Sequence, residues 1–291
     1  MNMTIFDETY RLNNGVEIPK IGFGTWMITD NDDAAQAVKT AIQVGYRHID
    51  TAEAYENEVG VGRGVRDSGV RREDIFVTTK LAGEIKDYDD AVAAIDQSLA
   101  DLGLDYIDMM IIHSPKPWVD FQKEDRFFAG NLAAWRALEE AVDAGKIRTI
   151  GVSNFDEVDL QNILDNGRIK PAVDQVLAHI GNVPFGLFDY AKQHDIQIEA
   201  YSPFGHGEML KNPNLQQIAD KYGVSVPKLG IRYLLQLGAL PLPKTLSEDH
   251  MRHNATVDFT ISDDDMALLE QVTFNDYGEF SGFPVFGGTL D

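Results

Sequence analysis

The chain has 291 residues, of which 44% are hydrophobic and 25% are charged, a composition typical of a globular protein and not of a disordered one. Its formal net charge of -22, without any Lys/Arg-rich run, excludes nucleic acid and anionic membranes as expected partners. The absence of cysteine excludes disulfides and thiol catalysis, and no metal site is predicted. With neither a signal-peptide pattern nor a long apolar run, we expect a cytoplasmic protein.

The first predicted element is a β-hairpin over residues 10–18. Its centre is Asn13-Asn14-Gly15, and an Asn-Gly pair favours the positive φ angles of a tight turn. We expect this hairpin to cover one end of the fold. Eight short β-rich runs follow it, at residues 21–25, 46–50, 75–80, 106–113, 147–153, 172–176, 196–201 and 240–243.

Segments with helical spacing of apolar residues separate these runs, at about residues 32–44, 91–102, 132–144, 157–164 and 213–222. Eight strands alternating with helices, without a linker or low-complexity break, predict a single α/β domain over residues 1–291, a (β/α)8 TIM barrel. An open doubly wound sheet is the alternative. It is less favoured because Gly60-x-Gly62-x-Gly64 has the wrong spacing for a dinucleotide-binding turn and lies in a helical stretch.

Three successive β-rich runs end in an ionisable residue, namely Asp50, Lys80 and His113. In a barrel the C-terminal ends of the strands converge on the face that carries the active site. Tyr55 follows Asp50 by five residues, so a loop brings it to the same face. Each residue alone could be structural, but their coincidence indicates a catalytic pocket.

Within this pocket Tyr55 is predicted to be a general acid. A free phenol has a pKa of about 10, and a neighbouring Lys80 ammonium would lower it by favouring the phenolate. Asp50 would hold Lys80 and balance its buried charge, and His113 would orient a substrate carbonyl. These groups suit protonation of an oxyanion as hydride reaches the carbonyl carbon.

Longer runs extend the pattern over almost the whole chain: GFGTW at residues 22–26, GYRHIDTAEAYENE at 45–58, LDYID at 104–108, GVSNF at 151–155 and AYSP at 200–203. The sequence resembles the aldo-keto reductases, in particular the 2,5-diketo-gluconate reductase-like, prokaryotic aldehyde reductase branch. The resemblance implies NAD(P)H-dependent reduction of aldehydes and ketones to alcohols. It also implies an Asp, Tyr, Lys, His catalytic tetrad at Asp50, Tyr55, Lys80 and His113.

The resemblance also implies the ligand contacts. Ser153, Asn154 and Gln175 would hydrogen-bond the nicotinamide carboxamide, and Tyr201 would stack on the ring. The full set of implied cofactor contacts is Thr25, Asp50, Ser153, Asn154, Gln175, Tyr201, Ser202, Phe204, Lys244, Thr245, His250 and Asn254. The implied substrate contacts are Trp26, Tyr55, His113 and Trp118. Their aromatic character favours an apolar or aromatic aldehyde or ketone as substrate.

The adenosine-phosphate segment departs from the family pattern, which has Pro-Lys-Ser and an Arg six residues after the Lys. Here Lys244 is present, but His250 stands at the Arg position. An imidazole is a single donor and mostly neutral at pH 7, whereas a guanidinium grips phosphate with two charge-assisted hydrogen bonds. We therefore expect NADPH to be the cofactor with appreciable NADH use, unless Arg252 compensates from a helix shifted by two residues.

Two further segments leave alternatives open. Residues 174–180 read DQVLAHI where the family often has NQxExHP, so Gln175 is retained while the loop after it is expected to take another path. The tail at residues 280–288 has three Phe among glycines and resembles the family's C-terminal substrate loop. Either it forms a wall of the substrate pocket, or it frays as chain ends often do.

Two other functions are weighed against carbonyl reduction. A nicotinamide-binding regulatory or redox-sensing protein without turnover would not need the complete tetrad. In a barrel lyase with Lys80 as its Schiff-base nucleophile, the residues assigned to cofactor binding would have no role. The expected partner is therefore a small-molecule carbonyl substrate, and the chain is expected to be a monomer.

Overall fold

The computed structural model describes residues 4–274 and 276–290. In this part of the chain the strands and helices are, in order, β1 (Thr9–Arg11), β2 (Glu17–Pro19), β3 (Phe23–Gly24), α1 (Asn31–Val44), β4 (His48–Asp50), α2 (Glu58–Asp67), β5 (Phe76–Leu81), α3 (Tyr88–Leu102), β6 (Ile107–Ile112), α4 (Phe128–Asp143), β7 (Ile147–Ser153), α5 (Glu157–Asn166), β8 (Val173–Leu177), α6 (Phe185–Gln193), β9 (Gln197–Tyr201), α7 (Pro213–Lys221), α8 (Val226–Gln236), β10 (Leu240–Leu242), α9 (Glu248–Ala255) and α10 (Asp263–Glu270). No helix within the described ranges is long and apolar enough to cross a membrane.

Strands β3 to β10 form one parallel sheet in which each strand pairs with its neighbours in chain order. The first and last strands meet through backbone hydrogen bonds of 3.1 Å from Gly22 to Pro241 and from Gly24 to Pro243. These bonds close the sheet, and the prediction of an eight-stranded α/β barrel is confirmed. Each of the eight predicted β-rich runs overlaps one barrel strand.

The N-terminal hairpin is confirmed, but its turn differs from the expected one. Leu12 donates its backbone N–H to the Val16 carbonyl at 2.9 Å, which leaves three residues in the loop, and among them only Gly15 has a positive φ (84°). A three-residue hairpin loop ending in a left-handed glycine explains this geometry. Leu12 and Ile18 pack with Leu240, the first residue of β10, so the hairpin covers the N-terminal end of the barrel.

Aspartates fix the starts of several outer helices. Asp30, Asp87 and Asp156 precede α1, α3 and α5, and each side chain accepts hydrogen bonds from two backbone N–H groups of the first turn. Such a cap is worth about 1 kcal/mol. Further acidic residues in these first turns interact favourably with the positive helix end, so part of the large negative charge lies at helix N-termini.

The glycine-rich segment of α2 has a packing role. A Cβ atom on Gly60 would lie 2.4 Å from the carbonyl oxygen of Asn31, and one on Gly62 would lie 1.8 Å from that of Leu102. Only glycine allows α2 to approach α1 and α3 this closely. The interpretation that this segment is not a phosphate-binding turn agrees with its position inside a helix.

Candidate active site

A cavity of about 600 Å³ opens at the C-terminal end of the barrel. The last residues of β3, β4, β7, β9 and β10 line it, as expected for the face on which barrel enzymes carry their active sites. It brings together most of the residues singled out from the sequence, namely Trp26, Asp50, Tyr55, His113, Trp118, Ser153, Asn154, Gln175, Tyr201, Ser202, Phe204 and Lys244.

Four of the implied cofactor contacts do not line this cavity. Thr25 is fully buried, and its hydroxyl donates to the backbone carbonyl of Asp50 at 3.0 Å, so its side chain is not presented to a ligand there. Thr245 accepts a backbone N–H at its hydroxyl, His250 is exposed on α9 and Asn254 is buried in the same helix. The last three lie around the segment expected to bind the adenosine phosphate.

A buried ion pair lies beneath the cavity floor. The ammonium of Lys80 donates to the carboxylate of Asp50 at 2.6 Å and to the carbonyl of Thr51 at 2.7 Å. Burial alone would lower the pKa of Lys80, but the Asp50 carboxylate and the adjacent Tyr55 raise it above its usual value. Lys80 is therefore a cation, and its charge is largely balanced by Asp50.

Tyr55 lies at the end of a short 3-10 turn, and its ring centroid is 4.9 Å from the Lys80 ammonium. The expectation that Lys80 lowers the pKa of this phenol is wrong as a net effect. Burial raises the pKa of Tyr55 by more than the ammonium lowers it, and the charge of Asp50 adds to the rise. The phenol therefore keeps its proton at neutral pH.

His113 forms the opposite side of the same corner of the cavity. Its ring contacts Tyr55 edge to face at a centroid distance of 5.7 Å and Trp118 at 5.4 Å. Burial, and then the charge of Lys80, hold the pKa of His113 well below its usual value, so the imidazole is neutral. A neutral imidazole can hydrogen-bond a carbonyl oxygen without adding a charge.

A hydrogen-bonded cluster forms the adjoining wall. Asn154 donates to the His113 carbonyl and to the Ser153 hydroxyl, both at 3.0 Å, and it accepts from the Tyr201 hydroxyl at 2.7 Å. Ser153 in turn donates to the backbone carbonyl of Gln175 at 2.7 Å. The four side chains expected to hold a nicotinamide are thus side by side, with the aromatic ring of Tyr201 fixed by its hydroxyl. This arrangement fits a flat ring that carries a carboxamide.

Aromatic side chains from four segments form the outer wall. His206 stacks on Phe280 at a centroid distance of 4.3 Å and meets Trp26 edge to face at 5.1 Å, while Trp118 packs against Phe283 at 5.2 Å. Of the two alternatives for the tail, the structure has it lining the cavity. The sequence reasoning missed His206, whose only signal was its position after β9.

The loop after β8 joins this wall to the tail. His179 is fully buried, and its ring nitrogens are 2.8 Å from the carbonyl oxygen of Ile180 and 3.1 Å from the hydroxyl of Tyr277. Burial lowers the pKa of His179, so the ring is neutral and one nitrogen accepts from Tyr277. His179, which the family pattern also has, therefore anchors the start of the C-terminal tail to this loop.

The segment around α9 has few cations available for a phosphate. Lys244 is exposed and lines the cavity. Arg252 instead pairs with Glu248 at 2.7 Å along the same helix, and Glu248 and Asp249 place two acidic groups in its first turn. Because Arg252 is engaged by Glu248, the structure does not favour the alternative in which Arg252 replaces the family's Arg.

At the C-terminal end of the barrel, a neutral His, a protonated Tyr and a buried Lys–Asp pair lie beside a cluster of amide and aromatic side chains. This combination is typical of a nicotinamide-dependent oxidoreductase. A family model described as "Aldo/keto reductase family" matches residues 20–273. The chain is 42% identical to the glyoxal reductase of Bacillus subtilis over 92% of its own length and 93% of that protein.

Two solved structures agree with this. The chain is 37% identical to an aldo/keto reductase from Brucella melitensis, with a TM-score of 0.84 over 93% of this chain and 99% of that one. It is 32% identical to a Bombyx mori aldo-keto reductase in complex with NADP, with a TM-score of 0.83 over 94% and 95% of the two chains. The protein belongs to the aldo/keto reductase family and is an NAD(P)H-dependent oxidoreductase that acts on carbonyl groups.

Proposed function

We propose that the protein reduces aldehydes or ketones to alcohols with Tyr55 as the general acid. The observation that carries this proposal is that Tyr55 and His113 face one cavity, with the Lys80–Asp50 pair buried directly behind them. A bound reduced nicotinamide supplies hydride to the carbonyl carbon. Tyr55 gives its proton to the carbonyl oxygen, and neutral His113 hydrogen-bonds the same oxygen and orients it.

The electrostatics of the pair support this division of roles. Because the pKa of Tyr55 is raised, the phenol is fully protonated before reaction. The Lys80 ammonium stabilises the phenolate that remains after proton transfer, and Asp50 keeps that ammonium in place. The alternative of a Schiff-base lyase is not supported, because the Lys80 amine is fully buried and held by Asp50 and Thr51.

For the cofactor, we propose NADPH with appreciable use of NADH. Lys244 at the cavity rim supplies one positive charge near the expected phosphate position. His250 is exposed where the family has an Arg, and the acidic residues Glu248 and Asp249 lie in the same first turn of α9. A 2′-phosphate would therefore gain less here than from a guanidinium.

For the substrate, we propose an apolar or aromatic aldehyde or ketone. The cavity wall is formed by Trp26, Trp118, Phe280 and Phe283, and aromatic faces gain most from burying apolar surface. The similarity to a glyoxal reductase makes small dicarbonyls the natural comparison class.

The test is oxidation of NADPH and NADH, followed at 340 nm, over a panel of aromatic aldehydes, ketones and glyoxal. Tyr55→Phe is expected to lower kcat by roughly 10²- to 10⁴-fold while leaving cofactor affinity unchanged, since it removes only the hydroxyl that donates the proton. Tyr190→Phe, on the outer surface of α6, is the matched control and should retain full activity. Wild-type turnover by Tyr55→Phe would refute the assignment, and tight cofactor binding without turnover on any carbonyl would favour a regulatory protein.

A further inference from the structure

The interior of the barrel below the catalytic pair is polar. Asp50, Gln175, Glu199 and His48 are all buried there, and Glu199 and His48 have no exposed surface at all. The side-chain nitrogen of Gln175 donates to Asp50 at 2.8 Å and to Glu199 at 2.8 Å. Gln175 therefore bridges two carboxyl groups on different strands, β4 and β9.

This bridge leaves one orientation for the Gln175 amide. A primary amide nitrogen has two hydrogens, and both are used by the two carboxyl groups. A flipped amide would set its carbonyl oxygen against the Asp50 carboxylate and would lose both donated hydrogen bonds. The nitrogen therefore stays on the carboxyl side, and the oxygen Oε1 is the atom left for a ligand in the cavity.

The register of the sheet places Glu199 where it can accept the second N–H of Gln175. Gln175 and Glu199 lie directly opposite each other in the β8–β9 pairing, and residues opposite each other in a sheet have their side chains on the same face. Asp50 alone would occupy only one of the two amide hydrogens. Without Glu199, the amide could rotate about its last bond and lose its preferred orientation.

We propose that Glu199 is a positioning residue for cofactor binding: by accepting one N–H of Gln175, it presents the Gln175 carbonyl oxygen to the N–H of the nicotinamide carboxamide. This inference rests on the proposed function, in which Gln175 contacts that carboxamide. Glu199 itself does not touch the cofactor or the substrate. It acts only through Gln175, and it sets the rotation of the ring that delivers hydride.

The charges around Glu199 explain how a carboxyl group is tolerated there. Asp50 and Lys80 neutralise each other, and His48 is bonded to Thr78 at 3.0 Å and lies 3.8 Å from Glu199. Burial and the charge of Lys80 lower the pKa of His48 to about 3, so it supplies no cation. Burial and the charge of Asp50 raise the pKa of Glu199 to about 8, so the group is neutral at pH 7. Glutamine therefore reproduces both its shape and its charge.

The experiment measures the Kd of NADPH by quenching of tryptophan fluorescence at pH 7, together with Tm. We expect Glu199→Leu to raise Kd about fivefold to tenfold, the loss of one oriented hydrogen bond, while Glu199→Gln keeps the wild-type Kd. Glu58→Leu is the matched control, because Glu58 is also a buried carboxyl but bonds Thr79 and not Gln175. It should lower Tm without changing Kd.

A double-mutant cycle separates positioning from general damage. In a Gln175→Ala background, Glu199→Leu should have no further effect on Kd, because the group that it positions is gone. An equal loss of affinity in both backgrounds, or a loss in Glu199→Gln equal to that in Glu199→Leu, would overturn the inference. If the leucine variant does not fold, Glu199→Thr replaces it, since threonine suits a strand but is too short to reach Gln175.

Cofactor binding by the wild-type protein distinguishes failure of the proposed function from failure of the role proposed for Glu199. If it binds neither NADPH nor NADH, the proposed function fails and this inference fails with it. If it binds cofactor and Glu199→Leu binds equally well, only the role of Glu199 is overturned.

Discussion

Asp174→Asn is expected to stabilise the protein at neutral pH. Asp174 lies on β8 next to Gln175 but on the opposite face of the strand, where it is fully buried. Neither carboxylate oxygen has a hydrogen-bond partner within the described residues. Burial raises the pKa of Asp174 well above its usual value, and nearby Asp159 and Asp156 raise it further. The Phe155 amide offsets part of this rise without making a hydrogen bond of normal geometry.

The direction of the pH dependence follows from this raised pKa. Below a pH of about 4 the group is neutral in both the folded and the unfolded chain, so it imposes no penalty. As the pH rises from there toward the folded pKa, only the unfolded chain releases the proton, and the free energy of unfolding falls. Asparagine has nearly the same shape and cannot ionise, so this loss should disappear in the variant.

Each pH unit by which the folded pKa of Asp174 exceeds its unfolded value costs the wild type about 1.4 kcal/mol of unfolding free energy once the pH has passed through that range, so we expect Asp174→Asn to gain about 1–3 kcal/mol at pH 7. For a chain of this size that gain corresponds to roughly 2–6 °C in Tm. Urea unfolding of both proteins at intervals from pH 4 to pH 8 measures it directly.

The two stability curves should converge near pH 4 and separate as the pH rises. Asp105→Asn, which removes the same charge from an exposed position, is the control and should leave the curve unchanged. Parallel curves for wild type and Asp174→Asn across the whole range would refute the reasoning.

Three other substitutions test separate parts of the site. His250→Arg should raise affinity for NADPH relative to NADH about tenfold by adding a bidentate phosphate contact, measured as the ratio of the two Kd values; an unchanged ratio contradicts the cofactor proposal. Lys80→Met should lower stability by about 3–5 kcal/mol, because it leaves Asp50 buried without its cation, and wild-type urea unfolding would contradict this. Phe280→Ala should raise KM for an aromatic aldehyde more than for glyoxal, since it opens the wall that His206 and Phe280 form together. Equal changes in the two KM values would argue against that wall as a substrate contact.

The local pattern of the sequence was sufficient to predict the barrel and to place Asp50, Tyr55, Lys80 and His113 together at one end of it. Strand runs and helix spacing are local properties, and a residue that ends a parallel strand must reach the common C-terminal face. For this reason Asp50, Lys80 and His113 could be assigned to one site before any coordinates were known. Local hairpin chemistry was less reliable, because an Asn-Gly pair suits more than one loop length.

Tertiary structure alone decided the remaining features. The direction in which the pKa of Tyr55 shifts depends on the balance between burial, which raises it, and the Lys80 ammonium, which lowers it. This burial is produced by segments that lie far apart in the chain. The pairing of Arg252 with Glu248 and the stacking of Phe280 on His206 depend on where the side chains lie in the folded protein. The spacing of residues along the sequence does not predict these contacts. Glu199 meets Gln175 across two strands and Asp50 meets both inside the barrel, because closure of the sheet turns residues distant in sequence into neighbours. The sequence by itself determined which groups reach the active-site face, and the closed barrel determined how their charges and hydrogen bonds are set there.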